Sequence, residues 1–174
     1  MLGVLGGMGP LATVDFLAKV VTSTPATGDA GHIPLVVRSV PQIPDRNAAV
    51  LGQGDSPLEM LCAEARALKD GGATVGVMPC NTAHHWFDEL STAVDLEFIH
   101  IADAAIAALD SQGVAGQTVG LLGTLGTLKS GSSTKFSASS AAAAASIRMS
   151  ISPWTVSAKS STTSTGRSLR IQGR

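Results

Sequence analysis

Aromatic residues and cysteines are scarce in this 174-residue sequence. Tyrosine is absent and the aromatic content is only 3%, so Leu, Val, Ile and Ala have to build the core of a chain that is 44% hydrophobic. Its two cysteines, Cys62 and Cys80, are too few for the disulfide framework of a small secreted protein. We therefore expect reduced thiols and a cytoplasmic protein.

Long apolar runs and a basic N-terminal segment are also missing. No apolar run approaches the ~20 residues of a membrane-spanning helix, so we predict no membrane association. The first ten residues, MLGVLGGMGP, are apolar without a basic residue, which does not favour a signal peptide. The turn GGMGP is neither a complete G-x-G-x-x-G pattern nor followed by a Walker lysine, so nucleotide binding is a weak interpretation. His32 and His100 lack metal-ligand spacing, and we assign no metal.

Acidic residues are absent from the C-terminal part of the sequence. All thirteen lie at or before Asp110 together with five basic residues, whereas seven basic residues follow that position. Residues 132–174 are rich in Ser, Ala and Thr, and this composition favours disorder. We predict a disordered or non-native tail, and we hypothesise that it derives from a shifted reading frame. A natural, disordered basic tail is the alternative, and we expect no nucleic-acid partner.

Apolar segments of strand length alternate with helical periodicity between residues 2 and 122. The predicted strands span 2–5, 33–40, 74–78, 97–101 and 118–122, and helices are predicted over 11–21, from Pro57 to about 68, from about 83, and over 102–109, with a loop over 41–55. This alternation predicts a three-layer α/β fold, with a parallel sheet between flanking helices. Ligands bind outside the carboxyl ends of such strands. The loops at 6–10, 41–46, 79–82 and 123–127 should therefore converge on one edge.

The segment MPCNTAH at 78–84 carries the strongest chemical signal. Cys80 lies between a predicted strand and a predicted helix, where backbone N–H groups and the helix dipole favour an anion. The thiolate is the reactive form of cysteine. Asn81 and Thr82 add donors at the same point, which suits a substrate carboxylate. A buried structural cysteine is the alternative interpretation.

Other candidate side chains are less specific. Arg46 follows the second strand and offers a bidentate guanidinium to a carboxylate, although a solvated surface arginine is the alternative. Cys62 lies within an apolar helical pattern, so we interpret it as a core residue. His84 and His85 follow the cysteine motif, but without an acidic or amide orienting residue they do not indicate a nucleophilic Cys–His pair.

Four segments, in this order, resemble the aspartate/glutamate racemase family. They are GVLGGMGPLAT at 3–13, PQIPDR at 41–46, MPCNTAH at 78–84 and GLLGTLGTLKSG at 120–131. The resemblance implies two similar α/β domains that face each other across a cleft, often assembled as a homodimer. Residues 1–131 would form the N-terminal domain, with 117–131 beginning the second domain. The implied activity is racemisation of aspartate or glutamate by two cysteines, without PLP or another cofactor.

The resemblance also implies roles for individual residues. Cys80 would be the catalytic thiol of the N-terminal domain, and Arg46 would pair with the side-chain carboxylate of an acidic amino acid. The α-carboxylate and the amino group of the substrate would be held by Asn81, Thr82, Thr124 and Thr127. Met8 and Gly9 would line the pocket. The family's second cysteine is missing, because no cysteine follows Cys80. We therefore expect no two-thiol racemisation by these residues alone. A one-cysteine decarboxylase or isomerase and an inactive or dicarboxylate-binding half-domain are the alternatives.

Overall fold

The computed structural model describes residues 1–113, 121–130, 149–151, 157–163 and 166–172. The strands in these residues are β1 (Leu2–Gly6), β2 (Leu35–Ser39), β3 (Val75–Val77), β4 (Phe98–Ile99), β5 (Leu121–Gly123), β6 (Met149–Ile151), β7 (Ser157–Thr163) and β8 (Gly166–Gln172). The α-helices are α1 (Pro10–Ser23), α2 (Arg46–Val50), α3 (Leu58–Asp70), α4 (Phe87–Ala93), α5 (Ile101–Ser111) and α6 (Leu125–Lys129). Two 3-10 helices span Asp29–Gly31 and Thr82–Trp86.

Strands β1 to β4 form one parallel sheet in the order β2-β1-β3-β4. The central strand β1 aligns Val4 with Val37 on one side and with Val77 on the other. Val4 and Leu5 are both fully buried, as expected of an apolar strand covered on both faces. The sheet and its flanking helices confirm the predicted α/β fold.

Strand β5 does not join this sheet, although the alternating pattern includes it in the same series. It pairs in parallel with β6 and so begins a second, two-stranded sheet. The alternation of strands and helices shows that a strand exists, but it does not encode the partner with which that strand pairs. The second sheet starts inside the range 117–131, and the domain boundary at residue 131 stays a prediction.

The C-terminal segment contains β6 and an antiparallel hairpin of β7 and β8, where the sequence indicates no clear strand. Threonine and isoleucine favour extended backbone. Polar and apolar residues alternate over the last five residues of β8, which is a strand pattern that the sequence prediction missed, whereas β7 is almost entirely polar and has no such alternation. The hypotheses of disorder and of a shifted reading frame stay predictions.

The main core lies where α3 packs against β1, β2 and α4. Its fully buried side chains include Leu5, Leu61 and Leu90. Helix α1 is different, because it leaves Leu11 84% exposed and Val14 62% exposed. The core is therefore closed on the α3 side of the sheet, whereas α1 presents apolar side chains to solvent. Among the described residues, every helix is too short or too polar to cross a bilayer.

Helices α1 and α5 each begin one residue earlier than the predicted ranges, and the starts of α2 and α3 differ from the prediction in a way that capping explains. The predicted loop at 41–55 contains α2, whose N-cap Asp45 accepts a hydrogen bond from the Ala48 N–H at 2.7 Å. Helix α3 begins at Leu58, one residue later than predicted, and the Ser56 hydroxyl accepts from its N–H at 3.3 Å. In both places a short polar side chain satisfies a backbone donor of the first turn.

Candidate active site

Cys80 follows β3 at the carboxyl edge of the main sheet. Its side chain is partly exposed and packs against the apolar cluster that contains Met8 and Met78. The Cys80 N–H donates to the Met78 carbonyl at 2.8 Å, which turns the chain out of the strand. Cys80 is therefore not a buried core cysteine.

A 3-10 helix, Thr82–Trp86, leads from Cys80 into α4, so the helix predicted near residue 83 begins with a tighter turn. The first bond of that turn is donated by the His84 N–H to the Asn81 carbonyl at 3.2 Å. The preceding N–H groups, of Asn81, Thr82 and Ala83, have no acceptor within the turn, as is general at helix starts. They are the backbone donors nearest to Cys80 in the chain.

Three threonine hydroxyls and one amide form a continuous chain beside this turn. Thr82 Oγ1 lies 2.8 Å from Thr127 Oγ1, which lies 3.1 Å from Thr124 Oγ1. Thr124 Oγ1 in turn donates to Asn47 Oδ1 at 2.7 Å. Thr82 and Thr127 are buried, whereas Thr124 is exposed. The chain joins the Cys80 turn to α2 through the start of α6.

The direction of this chain follows from its end at Asn47. An amide oxygen only accepts, so the single proton of Thr124 points to Asn47. The Thr127 hydroxyl must then donate to Thr124, and the Thr82 hydroxyl to Thr127. Thr82 stands at the head of the chain, so its proton can be redirected to a ligand while the other two bonds persist.

Helix α6 is held against α2 by a close contact. Thr124 caps α6 by accepting from the Thr127 N–H at 3.2 Å. A Cβ atom at Gly126 would lie 2.3 Å from Asn47 Oδ1 and 3.0 Å from Asn47 Cα. Glycine at this position therefore allows Asn47 to approach closely enough for its bond to Thr124.

Arg46 begins α2 and is partly buried. Its Nη1 donates to the carbonyl oxygens of Ile43 and Pro44, both at 2.9 Å. Its Nε is buried and has no partner among the described residues. One edge of the guanidinium thus fastens its own loop, while the opposite edge carries an unsatisfied donor of the kind that a carboxylate can satisfy.

The first strand ends in a turn that requires glycine. Gly7 has a φ of +90°, and a Cβ atom there would lie 2.3 Å from the Val40 backbone nitrogen. Its N–H donates to Thr13 Oγ1 at 2.9 Å. This turn leaves Met8 buried in the cluster beside Cys80 and Gly9 exposed at the surface.

Cys62 occupies a separate environment within α3. It is only 6% exposed, which confirms its interpretation as a core residue. Burial raises the pKa of its thiol above the ordinary value, and the positive charge of Arg66 opposes this effect in part. Within the ranges that the structure describes, no three His, Cys, Asp or Glu residues are grouped to hold a metal ion.

The geometry adds two residues to those selected from the sequence. Asn47 anchors the threonine chain, and its contact with residue 124 spans 77 positions, so local spacing gives no sign of it. His84 contacts the Cys80 carbonyl, and its i, i+4 position after the cysteine is a signal that could have identified it. The loops at 79–82 and 123–127 lie next to each other, as predicted. Both also lie beside α2, which follows the loop at 41–46.

Comparisons with known proteins point in one direction. Residues 5–159 match the family described as "Asp/Glu/Hydantoin racemase", and the match extends beyond residue 131. The chain is 27% identical over 110 residues to the broad specificity amino-acid racemase RacX of Bacillus subtilis (strain 168), covering 61% of this chain and 48% of that protein.

Solved structures give the same result. The aspartate racemase of Picrophilus torridus is 32% identical with a TM-score of 0.72, over 86% of this chain and 61% of that one. An aspartate racemase homologue from Pyrococcus horikoshii OT3 shares the fold, with 19% identity and a TM-score of 0.65 over 86% and 63% of the two chains. The chain thus spans between 48% and 63% of the length of these relatives.

Proposed function

Because the chain belongs to the Asp/Glu/hydantoin racemase family, and because the relatives it matches include amino-acid racemases, which are isomerases, we propose that it supplies one face of a racemase site. On this proposal Cys80 exchanges the α-proton of an acidic amino acid. The observation that carries the proposal is the partly exposed Cys80 beside the threonine chain at the carboxyl edge of the sheet.

The proposed step is a proton transfer at sulfur. The Cys80 thiolate takes the α-proton, so the Cα–H bond breaks, an S–H bond forms, and the electron pair passes from Cα into the adjacent carboxylate. That state needs fixed donors on the carboxylate oxygens. A thiol suits this role because its ordinary pKa lies close to working pH, and the step uses neither PLP nor a metal.

The α-carboxylate is assigned to the donors around the Cys80 turn. Asn81 offers its amide, Thr82 its redirectable hydroxyl proton, and the first turn the N–H groups that have no acceptor within that turn. Thr127 has no spare hydroxyl proton, but its oxygen keeps one lone pair that is suited to accept from the substrate's amino group. The Thr124 oxygen already accepts from the N–H and the hydroxyl of Thr127, so a direct contact from Thr124 to the amino group would replace one of these two bonds.

The side-chain carboxylate is assigned to Arg46. Its Nη1 already holds the loop carbonyls, so the carboxylate would use the opposite edge, where Nε lacks a partner. Met8 and Gly9 line the pocket in this proposal. An acidic substrate, aspartate or glutamate, follows from the positive charge of Arg46. We also propose that the protein is cytoplasmic and forms a homodimer.

Inversion needs a second proton donor on the opposite face of Cα. The 174 residues hold no cysteine after Cys80, and the Cys62 thiol is buried within α3. We therefore expect these 174 residues alone to exchange the α-proton of one enantiomer with solvent while its configuration is retained. The other enantiomer should not form.

Deuterium exchange tests this proposal. The 174-residue chain is incubated in deuterated water with L-aspartate and, separately, with D-aspartate, and the Cα–H signal is followed by proton NMR. We expect the signal of one enantiomer to decay, and the decay to be abolished in Cys80→Ala. Cys62→Ala is the matched control and should exchange like the parent.

Two results would contradict the proposal. Exchange that persists in Cys80→Ala would assign the chemistry to another group, and no exchange with either enantiomer would remove the activity. In the second case, stabilisation by aspartate in a thermal-shift assay, lost in Arg46→Ala and kept in Arg38→Ala, would identify a dicarboxylate-binding half-domain. Release of carbon dioxide would instead identify a decarboxylase.

A further inference from the structure

His84 links the Cys80 turn to the start of α5. The residue is 4% exposed, and its Nδ1 lies 2.9 Å from the Cys80 carbonyl oxygen. On the other side of the ring, Nε2 accepts a hydrogen bond from the Ile101 N–H at 3.1 Å. The Ile101 N–H is the first backbone donor of α5, so the ring also caps that helix.

These two contacts fix the tautomer of the ring. A backbone N–H can only donate, so Nε2 must carry a lone pair and no proton. A neutral imidazole then has its single proton on Nδ1, and the acceptor for that proton is the Cys80 carbonyl. In this arrangement neither ring nitrogen has a lone pair directed at the Cys80 thiol, so His84 is not its general base.

Neighbouring rings hold the plane of His84. The Phe87 ring stacks on it at a centroid distance of 5.7 Å and an interplanar angle of 11°. The His100 ring meets it edge-on at 4.6 Å, while Nδ1 of His100 accepts from the Ala102 N–H at 3.1 Å. His84 and His100 thus cap the first two N–H groups of α5 and confine each other.

We propose that His84 is a positioning residue for Cys80, acting through the Nδ1–H bond to the Cys80 carbonyl. The carbonyl belongs to the residue that carries Sγ, so fixing it limits rotation of the backbone that aims the thiol. The bond from the Ile101 N–H is assigned to the cap of α5 and not to the position of the thiol. The catalytic part of this inference rests on the proposed function.

Two conservative variants separate positioning from capping. In His84→Asn the amide nitrogen reaches the place of Nδ1 and keeps the bond to Cys80, whereas in His84→Gln the longer side chain reaches the place of Nε2 and keeps the bond to Ile101. A displacement of about 1 Å at a reacting group can cost about a hundredfold in rate. We expect kcat for α-proton exchange to fall about a hundredfold in His84→Gln with KM nearly unchanged, and His84→Asn to recover most of that loss.

Cys80 alkylation provides a readout that does not depend on catalysis. The rate of modification by iodoacetamide, followed by peptide mass spectrometry, should change in His84→Gln and stay near the parent rate in His84→Asn. His32→Asn is the matched control, because His32 precedes β2 at the opposite edge of the sheet. Long-range proton–nitrogen NMR should place the His84 proton on Nδ1.

Three outcomes would overturn the inference: equal exchange and alkylation rates in the Asn and Gln variants, recovery by Gln instead of Asn, or a proton on Nε2. If the parent chain exchanges with neither enantiomer, the proposed function fails. The alkylation rates and the tautomer then still decide the role of His84.

Discussion

Removal of the Thr127 hydroxyl tests the threonine chain. Thr127→Val preserves the shape of the side chain and deletes the bonds at 2.8 Å to Thr82 and 3.1 Å to Thr124. A hydrogen bond contributes about 0.5–1.5 kcal/mol net, so two such bonds at a buried residue predict a loss of about 2 kcal/mol. The Thr127 N–H still donates to Thr124, so the cap of α6 is retained.

Urea denaturation measures this loss. A pure stability change lowers the midpoint and leaves the m-value unchanged. Thr22→Val is the matched control, because its exposed hydroxyl donates only to carbonyls within α1, and surface changes of this kind stay within about 0.5 kcal/mol. A loss for Thr127→Val no larger than that of the control would refute the reasoning.

The direction of donation along the threonine hydroxyls can be checked in the same urea assay. Asn47→Asp keeps an oxygen that accepts from Thr124, whereas Asn47→Ala removes it. We expect Asp to retain most of the stability and Ala to lose about 1 kcal/mol. Equal losses would mean that residue 47 does not serve as the acceptor.

Two further perturbations follow from the fold. Gly7→Ala places a Cβ atom 2.3 Å from the Val40 nitrogen at a φ of +90°; we expect a loss of about 2 kcal/mol or more in urea denaturation, and a loss below about 0.5 kcal/mol would contradict the close approach. Burial raises the pKa of Cys62 above its ordinary value of 9.0, so its neutral thiol stabilises the folded state below that pH and the contribution declines as pH rises through it. The stability of the parent relative to Cys62→Ala should therefore be constant near neutral pH and fall above about pH 9, and a difference that stays flat to about pH 10 would contradict the assignment.

The sequence is informative where a signal is local. The apolar run before Pro79 and the polar residues after it place Cys80 at a strand end, and the structure has it there. Asp45 is also a local signal for α2, since an acidic N-cap before two alanines favours a helix. The many Pro and Gly residues in 41–55 led instead to the prediction of a loop. The five predicted strands exist, but the assignment of β5 to a second sheet depends on pairing with residues 149–151.

The remaining features depend on contacts that are distant in sequence. The bond between Asn47 and Thr124 joins residues 77 positions apart, and the cap of Ile101 by His84 joins residues 17 positions apart. Their side chains are common surface types, so neither composition nor periodicity marks them. The resemblance selected Thr124 and Thr127, but the order of donation along the threonine hydroxyls follows only from their distances to one another and to Asn47.

The close contact between Gly126 and Asn47 has a consequence for protein engineering. Because a methyl group at 126 would overlap the residue-47 side chain and approach its backbone Cα to 3.0 Å, the two positions do not vary independently. A library that randomises residue 126 alone samples mostly clashes with Asn47. A paired library that couples a larger residue at 126 with glycine or alanine at 47 explores how far α6 can be rebuilt, and it does so at the cost of the amide that orders the threonines.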